Sequence, residues 1–128
     1  MADKLGRDYI SNKLKNTAAI TAIVSTNIFY GTLVPKRIKV KTTINFYYNS
    51  LFDGALDYGQ RGFSIDCRAA TEVASQALAF EVFEAFNRAA GACSGRTYHS
   101  RATILTTIPK INDEDVYNTP VSINLQWR

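Results

Sequence analysis

Across 128 residues the chain carries two cysteines, one histidine, one tryptophan and one methionine. So little cysteine excludes the disulfide framework of a small secreted domain. Cys67 and Cys93 read as reduced thiols, with a single bridge between them left open. A closed zinc site needs four soft or nitrogen ligands, and His99 stands alone with no CxxC or HxxxH spacing anywhere. Asp113, Glu114 and Asp115 do not follow the spacing of a calcium loop and read as a solvated acidic turn. Phosphate-cradling loops of the GxxxxGK or GxGxxG kind are missing, and so is a GxSxG elbow. No run approaches the roughly 20 apolar residues of a membrane span. The opening Met1-Ala2-Asp3-Lys4-Leu5-Gly6-Arg7-Asp8 lacks the apolar stretch of a secretory signal. A soluble protein made in a cytoplasm is expected.

The remaining chemistry is sparse. Cys67 alternates with Phe63 and Ile65, which points its thiol into a core where it is inert, so a Cys67–His99 dyad is not expected. His99, beside Tyr98 and Arg101, reads as a surface or interface residue. Asp53 and Asp57 share a loop and define no common pocket. No catalytic residue, metal or cofactor emerges, and an enzyme is not expected.

What is present is an ordinary globular balance, 46% hydrophobic and 20% charged, in a length that suits one domain over residues 1–128. Such a chain buries about two-thirds of the surface it exposes unfolded, enough for a core without staples. A net charge of +4 and a pI near 9.2 are compatible with a nucleic-acid partner without demanding one.

Periodicity orders the elements. Leu5, Tyr9, Ile10 and Leu14 recur near helical period, with Asp3 as a candidate cap. Residues 18–24 predict a second short helix and residues 28–30 a brief strand stopped by Gly31. Residues 31–43 form a loop or hairpin arm broken at Pro35. Residues 42–48 predict a strand with Ile44, Phe46 and Tyr48 on one face. A loop is expected over residues 49–60. Phe63, Ile65, Cys67 and Ala69 then alternate with Ser64, Asp66 and Arg68, a strand dry on one side and wet on the other. Residues 71–90 predict a long helix with Thr71 as N-cap and Gly91 as its C-terminal glycine. Its apolar stripe would hold Ala74, Leu78, Val82, Ala85, Phe86 and Ala89. Phe80 falls on the opposite, polar side with Gln76, Glu84 and Asn87. After a loop at 93–96, two closing strands, over 98–111 and through Val121, Ile123, Leu125 and Trp127, suit an antiparallel hairpin. The fold class is α+β: a mostly antiparallel sheet of about four to five strands, with the long helix and the N-terminal helices on one face.

Charge is laid out unevenly. No acid lies between Asp8 and Asp53, an interval that holds Lys13, Lys15, Lys36, Arg37, Lys39 and Lys41. The group from Lys36 to Lys41 alternates with Ile38 and Val40, so an extended arm would be basic on one edge and apolar on the other. The acids gather at Asp53 and Asp57 and at Asp113, Glu114 and Asp115. Opposite signs on separate loops suit a head-to-tail contact between copies of the chain; a solvated loop is the plainer reading. Phe80 fits either an interface or a second packing surface within the chain.

In this order of elements the chain resembles the tail-terminator, or tail-completion, proteins of long-tailed bacteriophages. The resemblance lies in the N-terminal helix leading into Ala18-Ala19-Ile20-Thr21-Ala22-Ile23-Val24 and the short strand Asn27-Ile28-Phe29-Tyr30-Gly31. The Val34-Pro35 loop, the strands Ile44-Asn45-Phe46-Tyr47-Tyr48 and Phe63-Ser64-Ile65-Asp66-Cys67, the helix from Thr71 and the closing strands complete it. Many members carry a second proline where this chain has Lys41-Thr42-Thr43. The resemblance implies a hexameric ring at the head-proximal end of the tail, which stops growth of the tube protein and presents a surface to the neck or head connector. DNA would pass through its lumen, assembly would take place in the host cytoplasm, and no membrane would be involved. Lys36, Arg37, Lys39 and Lys41 would serve the ring contact or the lumen, facing Asp53, Asp57 and the acidic turn. A head-closure or adaptor protein of the neck is the alternative within virions. A small basic nucleic-acid-binding module is the alternative outside them, although RNP, KH and helix-turn-helix signatures are missing.

Overall fold

One sheet organises the chain, and its hydrophobic face dictates where the helices go. The computed structural model describes residues 6–31, 41–50, 53–54, 58–108 and 116–128. Helix α1 spans Arg7–Asn16 and α2 spans Ala18–Val24. Strand β1 is Ile28–Tyr30, β2 Thr43–Tyr48, β3 Asp53–Gly54 and β4 Gly59–Ala69. Helix α3 is Glu72–Phe86, followed by β5 Ala89–Cys93, β6 Arg96–Ile104 and β7 Tyr117–Trp127. The strands run in the order β1-β2-β4-β7-β6-β5, with β3 paired to β4 off that path. Among the described strands only β1 and β2 pair in parallel; the other pairings are antiparallel.

The α+β class and the antiparallel pairing of the closing strands are as expected, but the first of them runs Arg96–Ile104 and stops well short of residue 111, and Cys93 and Arg96 are strand residues, not loop. The sheet is larger than expected by β3 and β5, and β4 starts at Gly59, inside the expected loop. Residues 59–69 follow β7 along its whole length, so pairing with a strong neighbour recruits Gly59, Gln60 and Arg61 despite their poor strand propensity.

Alternation sets the core. Phe63, Ile65 and Cys67 of β4, Val121, Ile123, Leu125 and Trp127 of β7 and Tyr98 of β6 are buried on one face. Leu78, Ala79, Val82 and Phe86 of α3 and Tyr9, Ile10 and Leu14 of α1 close over it. Helix α1 starts after Gly6, which is held at φ 102° and has no side chain of its own to cap with. Asp3 lies outside the described residues.

Two expectations about α3 need correction. Its buried stripe is Ser75, Leu78, Ala79, Val82 and Phe86, while Ala74 is exposed. The helix is alanine-rich on several sides, so apolarity alone leaves its rotation underdetermined. It also ends at Phe86, earlier than residue 90. Asn87 caps it, Arg88 turns the chain at φ 56°, and Ala89 and Ala90 enter β5. Gly91 is therefore a strand residue; its missing side chain makes room for the ring of Tyr9, whose Cε1 would lie 3.0 Å from a Cβ there. Thr71 does cap the other end, its Oγ1 accepting from the Ala74 amide at 3.1 Å.

Buried polar groups lock α3 onto the sheet. Ser75 Oγ donates to the Cys67 carbonyl at 2.7 Å and lies 2.8 Å from Thr119 Oγ1. Thr119 continues to Thr107 at 2.9 Å, and Thr107 accepts from Gln76 Nε2 at 2.9 Å. At the far end Ser100 Oγ donates to the Phe86 carbonyl at 2.7 Å, satisfying an acceptor the helix leaves open.

Candidate functional site

The outward face of the sheet differs along its breadth. Around β2 and β4 it is closed: Thr43, Asn45, Ser64 and Asp66 are buried, which corrects the expectation of a wet side. The Tyr47 hydroxyl donates to Asp66, 3.3 and 3.2 Å from its carboxylate oxygens, and Arg68 Nη2 is 3.9 Å away. Burial pushes the Tyr47 phenol up, and the neighbouring Asp66 adds to the effect.

Over β5, β6 and the end of β7 the same face is open. It forms a concavity of about 900 Å³ whose lining includes Gln60, Arg88, His99, Arg101, Gln126 and Arg128. The register explains the cluster. Gln60 pairs with Gln126, and Gln126 with His99; Asn124 pairs with Arg101 in the next outward row. Arg88 joins from the turn between α3 and β5, where its backbone is left-handed. Among the described residues no aspartate or glutamate lines the concavity. Among the described residues no ion pair engages Arg88, Arg101 or Arg128.

The expected site residues fall elsewhere. Lys36, Arg37, Lys39, Asp57, Asp113, Glu114 and Asp115 lie outside the described residues. Lys41 is exposed just before β2, and Asp53 lies in β3, its backbone opposite Gln60. Phe80 is 51% exposed on α3, and Val73, seven residues earlier on the same helical face, is 78% exposed. With exposed Ala77 between them they form an apolar stripe turned to solvent.

Cys67 and His99 lie on opposite faces of the sheet: the thiol is fully buried among core residues, the imidazole is exposed in the concavity. Burial pushes the Cys67 thiol strongly up, and Cys67 and Cys93 are both free. No group of three or more metal-ligating side chains occurs among the described residues, and no helix among them is long and apolar enough to cross a membrane.

The cationic concavity was missed by reading along the sequence because strand pairing and a turn assemble it from residues as far apart as Gln60 and Arg128. A signal existed: the outward positions His99 and Arg101 on one strand, and Gln126 and Arg128 on the next, are all polar or cationic.

The architecture is an α+β sheet-and-helix layer fold, and it is one found in a virion. A chain in a solved structure described as the virion of a native gene transfer agent (GTA) particle superposes with a TM-score of 0.72, covering 92% of this chain and 90% of that one. The two are 15% identical, so the likeness is one of fold. No family model matches the chain, and no curated protein matches it.

Proposed function

We propose that this chain is a structural virion protein that ends growth of a tail tube by capping it as a hexameric ring, and that presents the tail-side surface for head attachment. The observation that carries the reading is the fold shared, over nine-tenths of both chains, with a component of the gene transfer agent virion. The order of elements that resembles the tail terminators supports it.

The act is assembly, with no catalytic step. One face of the ring would cover the last ring of tube subunits and remove the template for the next; the other would dock the neck. Lys36, Arg37, Lys39 and Lys41, facing Asp53, Asp57 and the acidic turn of a neighbour, would supply charge-complementary subunit contacts. The exposed stripe of Val73, Ala77 and Phe80 would add an apolar contact.

Polymerising tube protein from the same particle tests the reading. Adding the purified chain should shorten the tubes and leave one ring on an end in electron micrographs. Tubes of unaltered length with undecorated ends would overturn it and leave the neck-adaptor reading.

A further inference from the structure

The arginines of this chain are not equally engaged. The Arg7 guanidinium sits 3.7 Å from the ring centre of Tyr30, and that of Arg61 sits 3.2 Å from the ring centre of Tyr48. Arg68 lies beside Asp66, and Arg96 has a partner of its own. Arg88, Arg101 and Arg128 all open onto the concavity with His99, and among the described residues no ion pair engages any of the three. Like charges gathered without counter-charges repel one another, so the cluster does not serve the fold. Arg88 makes the point twice, because it holds a left-handed backbone, φ 56°, that penalises any residue with a Cβ and penalises Asn least.

We propose that this concavity is a DNA-binding site that grips the phosphodiester backbone without reading its sequence. Three arginines line it, and the planar fork of arginine matches phosphate oxygens two at a time. Successive outward rows of the sheet, Gln126 with His99 and Asn124 with Arg101, repeat about every 7 Å along the strands, which suits a repeating polymer. The exposed amides of Asn124 and Gln126 add N–H donors for phosphate oxygens. Tyr58, on the rim and 61% exposed, presents a ring on which a base can stack.

The site shares DNA with the terminator reading but not the ring. A protein that binds DNA without forming rings, or forms rings without binding DNA, separates the two.

Fluorescence anisotropy of the whole chain with labelled single-stranded and duplex oligonucleotides tests the site. Binding at about 50 mM salt should weaken steeply by about 200 mM. The double variant Arg88→Asn/Arg101→Gln should bind at least about tenfold more weakly and lower the salt slope by about two. Arg88→Asn alone should unfold at the same or higher urea concentration, because asparagine tolerates the left-handed turn. Lys13→Gln/Lys15→Gln removes equal charge from α1 on the other side of the sheet and should change affinity by no more than about twofold. Absence of binding to either DNA at low salt would overturn the proposal. So would unchanged affinity in the arginine variant, or an equal loss in the lysine variant. Polyaspartate displacing DNA at equal residue concentration would do the same, and would assign the surface to an acidic protein partner.

Discussion

Gly6 and Gly91 are positions where the packing leaves little or no room for a side chain. A Cβ at Gly6 would overlap Leu125 Cδ2, and the residue sits at φ 102°. Strain and overpacking together predict that Gly6→Ala lowers stability by about 3 kcal/mol, read from the urea midpoint. Gly91→Ala asks Tyr9 to give by only tenths of an ångström and should cost about 1 kcal/mol. Cys67 predicts an alkaline limit. Its thiol titrates near 9.0 in the unfolded chain and well above that in the fold, because burial disfavours the thiolate. Below pH 9 both states hold the proton and stability is complete; above it the unfolded chain releases a proton that the fold retains, so stability falls. Tyr9 and Tyr47, raised mainly by burial above their ordinary 10.0, steepen the decline from pH 10. Urea titrations from pH 8 to 11 should show this slope, and Cys67→Ala should remove the part that begins near pH 9.

At the scale of elements, α3 is fixed by groups at both ends. Thr71→Ala should cost about 1 kcal/mol through the lost cap. Ser75→Ala should cost about 1–2 kcal/mol, because the Cys67 carbonyl loses a donor inside the core. These same groups show what reading the sequence could reach. The helix start at Thr71, the second helix, the brief β1 and the inward set of Val121, Ile123, Leu125 and Trp127 follow from caps and alternation, which are local. The end of α3 was not legible: Ala89 and Ala90 favour helix, and what stops them is a left-handed Arg88 that no turn residue announces. Ser75 was hidden for a related reason, since a buried serine reads as polar until its partner on β7, Thr119, is known. Pairing between strands distant in the chain likewise hides the concavity, whereas the place of Phe80 away from the buried stripe of α3 was legible from helical period alone.

The molecule as a whole presents two distinct surfaces, an apolar stripe on α3 and a cationic concavity on the opposite face of the sheet. Together they sharpen the meaning of the +4 net charge. A modest excess, concentrated in one concave face and in one basic loop of the sequence, suits a protein that meets DNA while joined to its own copies. If α3 lies in the ring contact, Phe80→Asp should yield a folded monomer with an unchanged circular dichroism spectrum. Reversing Lys36, Arg37 and Lys39 together should block ring formation or tail attachment.

Size-exclusion chromatography with light scattering, on the chain alone and after incubation with tail tubes, tests the central claim most directly. The account predicts a mass of six protomers, either free or released from tube ends. A chain that stays monomeric in both conditions, with no tube-bound fraction, would contradict it.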